Sequence, residues 1–237
     1  MNGHAPHVGS GIPIPPLAEE AIQVLQAVLF DMDGLLVDSE RLWFESEAEI
    51  MADLGASWGP EDQETLVGGS IARTVAYMLA RTGPVADPEE LGRRLLAGMA
   101  ERLRVNVPMM PGAKELLDEV REAGVPSALV SSTHRALMEY ALDGIGRDRL
   151  TLTVAGDEVA HTKPHPEPYL TAARLLDVDP RRCVALEDSP SGTDSATAAG
   201  CHVVAVPSVV PIPEAPGRTV VSSLLEVDLA RLRSLVA

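Results

Sequence analysis

Five short apolar runs recur along this chain, separated by stretches with helical periodicity. The runs are "VLQAVLFD" from Val24, "SALVSS" (127–132), "LTVAG" (152–156), "CVALED" (183–188) and "HVVAVP" (202–207). They read as strands. From the second run onward the intervening stretches are amphipathic: "RALMEYALDGIG", "EPYLTAARLLDV" and "SGTDSATAAG", with "AKELLDEVREAG" just before that run. Several end at Gly, as helix C-termini commonly do. Strands alternating with helices imply βαβ units and a parallel sheet, so the expected class is α/β. Ligands of such sheets bind at the carboxyl ends of the strands.

Residues 41–109 break the alternation. "RLWFESEAEIMADLGA", "GGSIARTVAYMLART" and "DPEELGRRLLAGMAERLRV" carry helical periodicity with no strand between them. They are expected to form a helical insertion after the first strand. "VPMMPGA" (107–113) marks the return to the α/β unit. The expected organisation is a Gly/Pro-rich flexible tail over 1–22, a core over 23–40 and 110–237, and the insertion over 41–109.

The chain has 237 residues and a formal charge of -16. Nucleic-acid binders need a basic stripe, and anionic membrane surfaces attract cations, so neither partner is expected. A small phosphorylated molecule stays open if local cations offset the global charge. No apolar run approaches the roughly 20 residues of a membrane span. The first Lys or Arg is Arg41, which offers no positive signal-peptide start, and a cytoplasmic monomer is expected. Cys183 and Cys201 each open an apolar run and read as buried thiols.

The chemistry-bearing residues gather at the expected strand ends. The first run delivers Asp31 and then Asp33, the second Ser131 and Ser132, the loop after the third Lys163, and the fourth Glu187 and Asp188. Carboxylates, hydroxyls and one cation would converge on one sheet edge. That set suits a hard, oxygen-preferring metal and a phosphate. A calcium loop of the Asp-x-Asp-x-Asp-Gly type does not fit, because Leu35 and Leu42 occupy ligand positions. Lys163 is the sharper signal. The chain has only two lysines, Lys114 and Lys163, against 17 arginines. A compact ammonium fits where arginine's planar fork would not.

In order and placement, "DMDGLLVDSE", "ALVSS", "HTKPHPEPY" and "ALEDSPSG" resemble the four motifs of the haloacid dehalogenase superfamily. The similarity runs from about residue 25 to the end and is nearest to its sugar-phosphate phosphatases and β-phosphoglucomutases. It implies a Rossmann-like doubly wound parallel sheet with the helical insertion as a cap. It implies a Mg2+-dependent phosphatase in which Asp31 is the nucleophile and Asp33 the general acid and base. Magnesium would be held by Asp31, the Asp33 carbonyl and Asp188, with Glu187 contributing directly or through water. Ser131, Ser132 and Lys163 would bind the phosphoryl group. Asp38, Ser39 and Glu40 are expected merely to start and cap the first cap helix. Trp43, Arg73 and Tyr77 are candidates for the distal part of the substrate, each with an ordinary structural alternative.

Two other functions would leave their own marks in the sequence. A phosphosugar mutase of this superfamily carries a cap histidine and arginine, whose positions here hold Trp43 and Ile71. A sugar-phosphate-binding regulator without activity would be expected to lose Asp31, Asp33 or Asp188, and all three are present.

Overall fold

The structure is a computed structural model, which describes residues 24–66 and 69–236. The tail expected over 1–22 lies outside the described residues. In chain order the elements are β1 (Ala27–Phe30), α1 (Glu40–Asp53), α2 (Pro60–Leu66), α3 (Ile71–Thr82), α4 (Pro88–Val105), α5 (Ala113–Glu122) and β2 (Ser127–Val130). There follow α6 (Arg135–Ile145), β3 (Leu152–Val154), α7 (Glu167–Leu176), β4 (Cys183–Glu187), α8 (Pro190–Ala198), β5 (His202–Ala205), β6 (Arg218–Val220) and α9 (Leu229–Ser234).

The six strands form one parallel sheet in the order β3-β2-β1-β4-β5-β6. β1 is central, and the chain winds outward from it first to one side and then to the other. That reversal opens a crevice at the carboxyl ends of β1 and β4. β1, β2 and β4 are buried along their whole length. Their side chains alternate between two cores, because successive residues of a strand face opposite sides. Val28 and Phe30 join the larger core, which includes Leu116, Leu117 and Val120 of α5. Ala27 and Leu29 join the smaller one, with Tyr169 and Ala172 of α7. Helices on both faces explain why these strands are continuously apolar.

β6, a three-residue strand at the sheet edge, is not among the strands expected from the sequence. "RTV" is too short and too polar to register as an apolar run. α2 also goes beyond the three expected helices. It is seven residues long and buries only Asp62 and Leu66, so it lacks an apolar stripe.

Helices α1 to α4 fall between β1 and β2. Ile50 and Met51 of α1, Val75 and Met78 of α3, and Leu91 and Leu95 of α4 form a third, separate core. The two chain segments that enter and leave this helical unit run side by side. Val37 bridges Met109, Asp38 N–H donates to the Pro108 carbonyl at 2.7 Å, and Met110 N–H donates to the Leu36 carbonyl at 2.9 Å. No helix among the described residues is long and apolar enough to cross a membrane.

Candidate active site

Strand register brings the acidic residues together. Phe30 of β1 pairs with Leu129 of β2 and Leu186 of β4. One residue on, Asp31 N–H still donates to the Leu186 carbonyl at 3.0 Å. Asp31 therefore leaves the sheet level with Glu187, the last residue of β4. Ser189 then caps α8 by accepting from Gly192 N–H, and Pro190 occupies the first helical turn. Strand end and helix start are so close that Glu187 and Asp188 are both held at the crevice.

Lys163 reaches this point from the loop between β3 and α7, across a cis Lys163–Pro164 bond. Its Nζ donates to Asp31 Oδ1 at 2.5 Å, Glu187 Oε1 at 2.6 Å and the Val130 carbonyl at 2.8 Å. All three ammonium protons are matched. Tyr169 OH also donates to Glu187 Oε1, at 2.5 Å. The Glu187 carboxylate lies so close to Gly192 that a Cβ there would come within 2.0 Å of it. Tyr169 is not among the site residues expected from the sequence, although it ends the "HTKPHPEPY" segment.

Carboxylate oxygens of Asp31, Glu187 and Asp188 lie within 4.8 Å of one another, and all three residues are buried. Burial pushes the Asp31 carboxyl well above its usual range; Lys163 opposes this, while Glu187 and Asp33 add to it. Burial pushes Asp188 up likewise, reinforced by Asp31 and Glu187. Lys163 is held above its ordinary value, since attraction to Asp31 and Glu187 outweighs the cost of its burial. One ammonium against three buried carboxylates leaves an excess of negative charge. A divalent cation with oxygen ligands fits that excess, and the donor set is all oxygen. Gly34, at φ 81°, permits the arrangement, because a Cβ there would lie 2.0 Å from Asp188 Oδ2.

Asp33 is held separately. Its Oδ2 accepts from Ser131 Oγ at 3.0 Å and Thr133 Oγ1 at 2.8 Å. Its Oδ1 accepts from Ser39 Oγ at 2.9 Å and lies 3.5 Å from Trp43 Nε1. Two expectations change here. Ser39 does sit at the start of α1, but its side chain makes no capping bond and instead orients Asp33. Ser131, expected on a phosphoryl group, spends its hydroxyl on Asp33 in this geometry. Ser132 Oγ is buried without a hydrogen-bond partner among the described residues. Thr133 carries no sequence signal of its own, although it lies two residues beyond Ser131 in the same loop.

A cleft separates this edge from the helical unit. Ser132, Thr133, His134, Lys163 and Asp188 line one wall, and Glu40, Trp43, Glu47, Gln63, Leu66, Ile71 and Thr74 the other. Trp43 is thus in place, but Arg73 and Tyr77 do not line the cleft. The Arg73 guanidinium donates to the Thr65 carbonyl at 2.7 Å. Tyr77 OH donates to Asp62 Oδ1 at 2.8 Å, and its ring packs edge-on against Trp58 at 5.7 Å. Both contacts tie α3 to α2 within the helical unit, with Arg73 exposed and Tyr77 half-buried. Glu40, expected only to favour the α1 N-terminus, also faces the cleft.

Comparison with known proteins finds relatives in sequence and in fold. The family model described as haloacid dehalogenase-like hydrolase matches residues 28–206. Hexitol phosphatase B of Escherichia coli (strain K12) is 36% identical over 199 residues, covering 81% of this chain and 86% of that protein. The structure of CbbY from Rhodobacter sphaeroides in complex with phosphate superposes with a TM-score of 0.79 at 29% identity, covering 88% of this chain and 99% of that one. β-Phosphoglucomutase from Clostridium difficile shares the fold, with a TM-score of 0.76 at 19% identity over 90% of this chain and 97% of that one.

Proposed function

The chain belongs to the haloacid dehalogenase-like hydrolases, and from that premise we propose that it is a Mg2+-dependent phosphomonoesterase acting on a small phosphorylated metabolite, a sugar phosphate in particular. The observation that carries this reading is the pairing of two carboxylates in different surroundings at one strand end. Asp31 is buried against Lys163 with a neighbouring acidic pair, whereas Asp33 is held by hydroxyls at the cleft.

In this mechanism Asp31 attacks phosphorus and the leaving oxygen departs, giving an aspartyl-phosphate. Asp33 protonates the leaving oxygen, then takes a proton from the water that hydrolyses the acyl phosphate. The donors on both Asp33 oxygens fix the direction in which it faces the cleft. Ser132 binds a phosphoryl oxygen, the Lys163 charge beside it stabilises the negative charge that builds there, and Ser131 keeps Asp33 in place through its hydroxyl. Ser132 Oγ is suited to phosphoryl binding because no group among the described residues claims it. Asp31, the Asp33 carbonyl, Asp188 and Glu187 would hold Mg2+, which supplies neutralisation of phosphoryl charge when bound. Glu187 also fixes Lys163 through Oε1. The helical unit covers the cleft and excludes water until substrate is placed.

Hydrolysis is favoured over the mutase reaction because, among the described residues, Lys163 is the one Lys or Arg lining the cleft. Among the described residues the opposite wall has no Lys or Arg to hold the second phosphate of a sugar bisphosphate. Phosphate release from a chromogenic phosphomonoester in Mg2+ tests the reading. Activity should vanish in Asp31→Asn, and unchanged turnover there would remove Asp31 as nucleophile. Incubation with β-glucose 1-phosphate and its bisphosphate tests the mutase, which would require glucose 6-phosphate to appear faster than free phosphate.

A further inference from the structure

The cleft wall facing the phosphoryl site carries two carboxylates, Glu40 and Glu47, both from α1. Glu47 is 5% exposed. Neither has a Lys, Arg or His nitrogen within 4.0 Å among the described residues, although most of the acidic residues around them on the helical unit do. Each has one neutral donor. Trp58 Nε1 donates to Glu47 Oε2 at 3.1 Å, and Gln63 Nε2 lies 3.3 Å from Glu40 Oε2 while donating mainly to the Glu40 carbonyl at 2.7 Å. The Oε1 atom of each has no hydrogen-bond partner among the described residues.

A buried, unpaired carboxylate is costly unless something donates to it. Burial indeed pushes both carboxyls up to about 7, with like charge from Asp33 adding at Glu40. Glu47 is buried and Glu40 half-buried, and ion pairing accounts for neither group's place on the wall of the cleft. Glu40 lies in the first turn of α1, where an acid favours the helix N-terminus, but neither closes an ion pair among the described residues, and both face the space that the non-reacting part of a substrate must fill.

We propose that Glu40 and Glu47 form the leaving-group subsite, where their free oxygens accept hydrogen bonds from the hydroxyls of a neutral polyol and repel a second anionic group. This rests on the phosphomonoesterase reading and narrows it. The substrate is a phosphomonoester of an uncharged polyhydroxy compound. Bisphosphates and phosphorylated acids are excluded, because the added charge would meet two carboxylates that have no Lys, Arg or His nitrogen within 4.0 Å among the described residues. A hydroxyl has the donor that each oxygen lacks, and a polyol presents several of them on one short chain.

The test is steady-state kinetics of the full chain with Mg2+ at pH 8, above the range to which burial pushes the two carboxyls. Substrates are glucose 6-phosphate, sorbitol 6-phosphate and erythritol 4-phosphate, against 6-phosphogluconate, fructose 1,6-bisphosphate and p-nitrophenyl phosphate. The wild type should prefer its best neutral polyol phosphate over both doubly anionic compounds by at least roughly tenfold in kcat/KM. In Glu40→Gln and Glu47→Gln, the ratio of kcat/KM for that polyol phosphate to p-nitrophenyl phosphate should fall roughly tenfold, mainly through KM, as expected for a lost hydrogen bond to a charged group. The disadvantage of the doubly anionic compounds should shrink in the same variants. A wild type that accepts 6-phosphogluconate as readily as its best polyol phosphate, or ratios that hold in both variants, would overturn the subsite while leaving the phosphomonoesterase reading intact. Absence of Mg2+-dependent turnover on every compound, p-nitrophenyl phosphate included, would overturn both.

Discussion

Nζ of Lys163 lies 2.5 Å from Oδ1 of Asp31, a contact made across 132 residues of chain. The same nitrogen reaches Glu187, so one ammonium offsets two buried carboxylates and anchors the β3–α7 loop to the sheet edge. The consequences for stability and turnover are separable.

Lys163→Met should leave Asp31 and Glu187 buried without their cation. The expected loss is about 3–5 kcal/mol of stability, the range for breaking a buried ion pair. Turnover should fall by roughly 10²–10³ if the ammonium also stabilises transferring charge. Lys163→Arg should not restore turnover, because a planar fork cannot match three acceptors arranged around one nitrogen. Thermal melts and kcat on a chromogenic phosphomonoester measure the two effects.

Gly34→Ala should impair the site out of proportion to its size. At φ 81° the new methyl is strained, and it would also lie 2.0 Å from Asp188 Oδ2. Gly124→Ala is the control: its φ is 66° and no atom lies within 4 Å of the added Cβ. Both should lose about 1 kcal/mol through the backbone. Only Gly34→Ala should raise the Mg2+ concentration needed for half-maximal turnover, by roughly tenfold or more.

Mg2+ should raise the melting temperature of the wild type and chelator should reverse this, since a ligand of the folded state stabilises by mass action. At 100 times its dissociation constant the gain is about 2.7 kcal/mol. Asp188→Asn should abolish the Mg2+ increment. Without metal the variant should melt above the wild type, because a neutral amide is spared the burial and like-charge repulsion that Asp188 suffers. Ser208 can still donate to the amide oxygen, as it now does to Asp188 Oδ2. A melt of Asp188→Asn that still responds to Mg2+ would remove Asp188 from the metal site.

Glu47 sets a pH dependence of stability. Its carboxyl is pushed by burial from 4.5 to about 7, an effect that the Trp58 N–H reduces. The folded state therefore holds this proton more tightly than the unfolded chain does. The stabilising contribution is complete below about pH 4.5 and is lost as pH rises through about 7. It amounts to up to about 3 kcal/mol. Glu47→Gln should match the wild type at pH 5 and melt several degrees higher at pH 8.

The site is legible in the sequence where chemistry is written in residue type. Lys163 stands out in an arginine-using chain, and Asp31, Asp33, Glu187 and Asp188 each follow an apolar run that the sheet buries. It is not legible where a side chain's job depends on what folds over it. Ser39 and Glu40 look like the start of a helix, which they are, yet their side chains serve Asp33 and the cleft. Thr133 and Tyr169 resemble ordinary loop and core residues until strand register sets them against Asp33 and Glu187.

Apolar periodicity is a local property, so the order of residues alone determines β1 to β5, the α/β alternation and the helical insertion. β6 and α2 leave no such trace, because a short edge strand and a one-sided acidic helix bury too little to impose a pattern. Pairing is non-local. That Phe30 meets Leu186, and hence that Asp31 stands beside Glu187, follows from how the strands stack and from no feature near either residue. The same holds for the unpaired state of Glu40 and Glu47. The chain lists its arginines, but three-dimensional packing brings none of those among the described residues to within 4.0 Å of these two carboxylates and turns both carboxylates toward the cleft.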